Sequence, residues 1–286
     1  MWKNKGKKGK NRSRLYQRAF FPYRTGKKDR TAEILERTGL NLNSGTITAV
    51  PITGCGREEI LDAARKIGGT SAGLVEWRAD FFEHSADPEA MKQLAGEIAE
   101  LIGAKPLLFT YRTEAEGGRG RAEMGAYGQL LIKMSDSAAI RLFDVEGLHE
   151  DFDPTGLIGA LRDKGKAVIA STHFFDRTPK KKEMEQILRK LAEEGPDIVK
   201  LAVMPSDAGD VLKLMQVTEK MHRALECPLI TMAMGELGKI SRISGSLTGS
   251  AVTFSSVGDS SAPGQIPLEQ MTEILDVLEK KPAAGK

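Results

Sequence analysis

Residues 197–205 read DIVKLAVMP, a short apolar run with a lysine at its centre. Ile198, Val199, Leu201, Ala202 and Val203 surround Lys200, and a continuous run of this length and composition is the pattern of a strand buried on both faces in a parallel sheet. Lysine is among the residues least often buried without a partner. The amine at position 200 therefore asks what the fold builds around it.

Working outward, the same kind of run recurs at TITAVPITG (46–54), GLVEWRAD (73–80), KPLLFTYR (105–112), AIRLFDVE (139–146), KAVIASTH (166–173), PLITMAMG (228–235) and SAVTFSS (250–256). With DIVKLAVMP that makes eight. Between most of them lie segments whose apolar residues recur at helical spacing: REEILDAARKIG (57–68), DPEAMKQLAGEIAELIG (87–103), AEMGAYGQLLIKMSD (122–136), TPKKKEMEQILRKLAEEG (178–195) and DAGDVLKLMQVTEKMHRAL (207–225). Asp or Pro precedes many helices, and Gly or Pro many strands. GELGKISRISGSLTG (235–249) is the least helical connection. Strand–helix alternation predicts a parallel sheet with right-handed crossovers, and eight units fit a closed (β/α)₈ TIM barrel of the α/β class. The rival, a doubly wound open sheet, is weakened because no glycine-rich dinucleotide fingerprint follows the first strand, and EGGRG (116–120) after the third has the wrong spacing.

The 286-residue length suits one such barrel. The formal charge of +3 hides an asymmetry. Residues 1–30 carry 12 Lys and Arg against one acid, Asp29, which leaves 30 basic and 38 acidic residues elsewhere, a formal −8. We therefore divide the chain into a basic extension (1–35), expected to be a solvated, disordered arm, and a catalytic barrel (36–286). The arm's other reading is a weak, salt-sensitive, nonspecific contact with an anionic surface or nucleic acid. AFFPY (19–23) is too short for a signal peptide, and no apolar run approaches the roughly 18 residues that span a bilayer. Two distant cysteines, Cys55 and Cys227, imply a reducing, cytoplasmic setting without a disulfide framework.

Active sites of such barrels lie at the carboxyl ends of the strands. Polar residues ending the runs thus form one set: Glu76 and Arg78 on a shared face, Arg112, Asp144 and Glu146, His173, Lys200, then Met232 and Met234 on a shared face of the seventh strand. A buried lysine can simply pair with a carboxylate or snorkel to a wet rim. It can also form an imine with a carbonyl substrate, which requires a neutral amine and so an environment that disfavours its charge. Arg78, Arg112 and Arg242 are candidates for cations beside that amine, and the same guanidinium groups could grip an anionic substrate. An imine acidifies the adjacent C–H, so a base is needed. His173, on the preceding strand, is the candidate; His222 falls on a surface helix, and His84 and His149 in loops.

These residues resemble the type I 3-dehydroquinate dehydratase family from about Val50 to Leu278. EWRAD (76–80), FTYRTEAEGG (109–118), DVE (144–146), STHFFDRTP (171–179), DIVKLAVMP, ITMAMGELGKISRISG (230–245) and GSAVTFSSVGDSSAPGQI (249–266) are similar to the family's strand ends, in family order and spacing. The resemblance implies elimination of water from 3-dehydroquinate to give 3-dehydroshikimate in the shikimate pathway. Lys200 would form the imine at C3. His173 would take a C2 proton and protonate the departing C1 hydroxyl. Glu76 and Arg78 would meet ring hydroxyls, Arg112 would help hold the substrate and Arg242 would bind its carboxylate. Met232 would line the site, and Ser261 and Gln265 would close over the ligand. Glu116 and Asp144 would lie beside the site, Asp144 orienting His173. No metal or diffusible cofactor would be needed, and the assembly would be a homodimer. Residues 36–48 would supply a short hairpin closing the barrel floor. Phe174 stands where the family often has Asp or Asn, and Pro51 where it often has Ser. A Schiff-base aldolase and a non-catalytic ligand-binding barrel are the rival functions.

Overall fold

The computed structural model of the chain describes residues 28–42, 45–149, 152–258 and 262–279. Ser261 and nearly all of the basic arm lie outside the described residues. The elements run α1 (Lys28–Thr38), β1 (Ile47–Ile52), α2 (Arg57–Gly68), β2 (Leu74–Arg78), α3 (Pro88–Ile102), β3 (Leu107–Thr110), α4 (Met124–Met134), β4 (Leu142–Glu146), α5 (Pro154–Asp163) and β5 (Ala167–Phe174). They continue with α6 (Lys181–Glu193), β6 (Ile198–Val203), α7 (Ala208–Ala224), β7 (Leu229–Ala233), α8 (Lys239–Ile243), α9 (Gly245–Thr248), β8 (Val252–Ser256), β9 (Ile266–Pro267) and α10 (Leu268–Glu279). Aspartates start several helices as the spacing predicts: the Asp87 carboxylate accepts from the Glu89 and Ala90 amides, Asp153 from Thr155 and Asp207 from Asp210. The 235–249 connection folds into two short helices, α8 and α9, behind β7.

Each strand from β1 to β7 pairs in parallel with the next, and β1 also pairs with β8. A parallel bridge between Leu229 and Ser250 joins β7 to the start of β8, and the Ala251 amide donates to the Leu229 carbonyl at 2.9 Å. The sheet therefore curls round into a barrel. β9 lies outside the eight-strand pattern, as a two-residue parallel addition to β8.

The period-two alternation of strands sorts the side chains into two cores. Val75, Phe109, Phe143, Val168 and Val199 point outward and are buried under the apolar faces of the helices, with Ile60, Met91, Leu131, Leu188 and Leu214 opposite them. Leu74, Leu108, Leu142, Ile169, Ile198 and Ile230 point inward and fill the lower barrel. Above them on the same inward faces come Glu76, Thr110, Asp144, Ser171 and Lys200, so an apolar plug supports a polar layer.

The hairpin expected within part of residues 36–48 falls partly on residues 43–44, outside the described residues, and the described residues before β1 contribute a helix to the floor. Residues 28–38 form helix α1, and Ile34, Leu40 and Leu42 insert into the inner core. Arg141 fastens the helix end, donating from Nε to the Arg37 carbonyl at 3.1 Å and from Nη2 to the Glu36 carbonyl at 2.6 Å. A helix ends in carbonyls without internal partners, which is what an arginine beneath it can satisfy. Among the described residues no helix is long and apolar enough to cross a membrane.

Candidate active site

Lys200 is 4% exposed at the centre of the barrel. Its Nζ lies 3.3 Å from Asp144 Oδ2 and 3.8 Å from Glu76 Oε1, and 4.6 Å from the ring centroid of Phe254. Its charged partners among the described residues are thus carboxylates and not the arginines expected there. The carboxylate wall continues sideways: Thr110 donates to Glu76 at 2.9 Å, and Ser171 donates to Asp144 at 2.5 Å.

Arg112 ties this wall together. Its Nη2 donates to Asp144 Oδ1 at 2.8 Å, and its Nη1 to Glu146 Oε1 at 3.0 Å, Ser171 Oγ at 3.1 Å and Glu116 Oε2 at 3.3 Å. Burial opposes its charge, yet Asp144, Glu146 and Glu116 together hold it firmly protonated. Although burial pushes the other way, Arg112 and Lys200 keep Asp144 below the usual carboxylate range, and Arg112 with the bonds from His149 and Thr113 does the same for Glu146. Arg112 lines the cavity around Lys200, where it is expected to help hold substrate, and its Nη1 and Nη2 also organise the carboxylates.

His173 sits two residues above Ser171, the register partner of Lys200, so it lies on the same inward face about 7 Å higher along the strand. Its Nδ1 is 2.8 Å from Glu116 Oε2. The orienting carboxylate is therefore Glu116; the expectation of Asp144 fails because both Asp144 oxygens are engaged by Arg112, Ser171 and Lys200. Burial first, then the charges of Arg112, Lys200 and Arg78, holds His173 well below its ordinary 6.5. Burial also raises Glu116 to about 8, with Glu146 and Asp144 adding to the rise and Arg112 opposing it. The EGG turn makes this placement possible: a Cβ on Gly118 would come within 2.0 Å of the Arg112 carbonyl, so only glycine lets the loop fold back there.

The arginines differ in what they have left to offer. Arg78 is held by both oxygens of Asp80, at 2.9 and 2.8 Å. Arg242 is 2% exposed, and among the described residues no carboxylate pairs with it. Its Nη2 donates to the Pro263 carbonyl at 3.1 Å, its Nη1 is 3.8 Å from Met232 sulfur, and its Nε finds no hydrogen-bond partner among the described residues. Burial alone lowers it from its ordinary value to about 10. Glu76, Arg78, Arg112, Glu116, His173, Lys200, Met232, Arg242 and Gln265 all line one cavity.

Both departures from the family pattern can be placed. Phe174 alternates away from His173, packs against the outer core and lies under the Arg177 guanidinium at 4.9 Å, so it does not tune the base directly. Pro51 is paired in register with Glu76 on the neighbouring strand.

Sequence reasoning passed over Asp80, Ser171 and His149 as site residues, and placed Glu146 among the strand-end groups without a role. Asp80 also accepts from the Arg112 and Arg119 amides, at 3.2 and 3.0 Å. The signal for it was the last letter of EWRAD, an acid two residues beyond Arg78. Glu116, Glu146 and His149 bring one ligand atom each within 4.8 Å of one another, the spacing of a metal site. The Arg112 guanidinium bonded to both carboxylates already supplies the cation there.

A parallel barrel with a buried lysine, and a carboxylate-bound histidine one step above it on the next strand, defines an α/β-barrel enzyme. A model of the type I 3-dehydroquinase family matches residues 48–282. The 3-dehydroquinate dehydratase of Geobacillus thermodenitrificans is 42% identical over 231 residues, 80% of this chain and 90% of that protein. That of Bacillus subtilis is 36% identical over 249 residues, 86% and 98% of the respective chains. Among solved structures, 3-dehydroquinate dehydratase from Geobacillus kaustophilus aligns with a TM-score of 0.80 at 36% identity, covering 83% of this chain and 92% of the other. The type I enzyme from Clostridium difficile, solved with covalently modified comenic acid, aligns with a TM-score of 0.78 at 35% identity over 82% and 92%. The chain belongs to the type I 3-dehydroquinase family.

Proposed function

We propose that this chain eliminates water from 3-dehydroquinate to give 3-dehydroshikimate through an imine on Lys200. The observation that carries the reading is the buried Arg242, which has no carboxylate partner among the described residues and lines the same cavity as Lys200 and His173. A charged group held out of water without a partner is costly, and a substrate carboxylate satisfies it.

In this reading the Lys200 amine sheds a proton and adds to the C3 ketone, and loss of water gives the imine. Asp144 and Glu76 are the carboxylates within reach of that proton, at 3.3 and 3.8 Å. The imine draws electrons from C2–H. His173, unprotonated at neutral pH and fixed through Nδ1 by Glu116, takes that proton. It then protonates the C1 hydroxyl as the C1–O bond breaks, and water returns to C3 to release the amine. Glu76 and Arg78 meet the ring hydroxyls, and Met232 and Gln265 close the cavity around the ring.

The test is borohydride reduction during turnover, followed by peptide mass analysis. Reduction with 3-dehydroquinate traps the ligand on Lys200; an adduct seen only with a sugar phosphate would make the protein an aldolase, and none at all a binding barrel. An absorbance assay for the conjugated enone reports turnover directly. We further propose a cytoplasmic homodimer, supported by family membership and by the exposed Leu237, Ile240 and Leu247 around α8 and α9. Light scattering in solution tests the assembly. The catalytic unit is proposed to begin with α1, since Ile34 already belongs to the inner core; the basic arm before it lies outside the described residues.

A further inference from the structure

The hydrogen bonds around Arg112 continue past the reaction cavity. His173 Nδ1 meets Glu116 Oε2 at 2.8 Å, Glu116 meets Arg112 Nη1 at 3.3 Å, and the same Nη1 meets Glu146 Oε1 at 3.0 Å. Glu146 Oε2 in turn meets His149 Nε2 at 2.8 Å. Two histidine–carboxylate pairs therefore flank one guanidinium nitrogen. His173 faces the cavity; His149, with 17% of its side chain exposed, sits at the rim after β4. Glu146 is fully buried, and among the described residues its carboxylate bonds to Arg112, the Thr113 amide and hydroxyl, and His149.

Two carboxylates on one guanidinium nitrogen compete for its charge. When one is ionised and well bonded, the other is pressed to hold a proton. Glu146 has the better claim. It accepts from three fixed donors besides Arg112's, whereas Glu116 accepts only a longer Arg112 bond, a Thr172 hydroxyl at 3.1 Å and the His173 contact. The charged and titratable groups acting on this pair are Arg112, Asp144, His149, His173 and, beneath Glu146, Tyr127, whose hydroxyl accepts from the Glu146 amide at 3.0 Å.

We propose that Glu146 and His149 are positioning residues that decide, through Arg112, whether the proton shared by Glu116 and His173 rests on the carboxylate or on the imidazole. They touch no substrate in this scheme; they act on the base through the guanidinium. The inference rests on the role proposed for His173, but its test does not depend on turnover.

The experiment is the pH titration of the His173 imidazole by NMR with labelled histidine, in wild type, Glu146→Gln and His149→Ala. With Glu146 neutral, Glu116 ionises beside His173, and the His173 midpoint should rise by roughly one to three pH units, the effect of an opposite charge within about 4–6 Å. His149→Ala weakens the hold on the Glu146 charge and should move the midpoint the same way by less. It also covers the case in which the buried Glu146→Gln fails to fold. In both variants kcat should change its pH dependence while KM holds. A His173 titration in folded Glu146→Gln that superimposes on wild type overturns the proposal, and an unmoved one in His149→Ala removes His149 from it. Absence of dehydratase activity in wild type would instead refute the functional reading, and would leave the titration interpretable.

Discussion

Replacing Arg242 with methionine separates what the site costs from what it does. The guanidinium is buried, and burial lowers it from its ordinary value to about 10. At neutral pH it is charged both folded and unfolded. The unfolded chain binds that proton more tightly, so the fold bears the difference at every pH below about 10. A fall of roughly 2.5 pH units at 1.36 kcal/mol per unit is a cost of roughly 3 kcal/mol. Methionine removes that cost and gives up the bond to the Pro263 carbonyl, worth about 1.5–3 kcal/mol for a charged donor. It also adds an unbranched side chain beside Met232. In urea unfolding without ligand, Arg242→Met should match wild type or exceed it by up to about 2 kcal/mol. Ligand binding should move the other way. Leaving a substrate carboxylate without its partner costs about 2–5 kcal/mol, roughly 30-fold to several thousand-fold in affinity. 3-Dehydroshikimate at 100 times its wild-type Kd should stabilise wild type by about 2.7 kcal/mol, and at the same concentration stabilise the variant by at most about 0.9 kcal/mol. A variant more than about 1 kcal/mol less stable without ligand, yet stabilised by it as much as wild type, would refute the argument that Arg242 is held in reserve for the substrate.

Three further outcomes can be checked. Lys200→Met should abolish both borohydride trapping and enone formation; turnover near wild type would end the imine mechanism. His173→Ala should still form the imine but stall elimination by roughly 10²–10⁴-fold in single-turnover absorbance. Because burial raises Glu116 from 4.5 to about 8, the native state holds a proton that the unfolded chain releases, and this contribution to stability fades as pH rises between those values. Glu116→Gln should therefore gain stability relative to wild type from pH 6 to pH 8, by about 2 kcal/mol, and a constant difference in unfolding free energy across that range would contradict it.

The helix at the barrel floor shows where sequence patterning stops. Residues 28–38 carry only one short apolar stripe, and the charge density of the arm outweighed it. What makes α1 part of the barrel is Arg141, more than 100 residues away, reaching the Glu36 and Arg37 carbonyls. The role of Arg112 follows the same logic. Its position at a strand end was legible; its commitment to Asp144, Glu146 and Glu116 was not, because those partners arrive from β4 and from the turn after β3.

Eight alternating runs were enough to specify a parallel barrel, since periods of two and 3.6 are written residue by residue. They were also enough to place Lys200, His173 and Glu76 on inward faces at strand ends. Which carboxylate holds which cation was decided only in three dimensions. Ion pairing depends on distances of 3 to 4 Å between side chains from different strands, and no local pattern records them. The same chemistry at three positions, Arg78, Arg112 and Arg242, thus became one arginine bound to Asp80, one shared among three acids, and one buried with no acid beside it among the described residues.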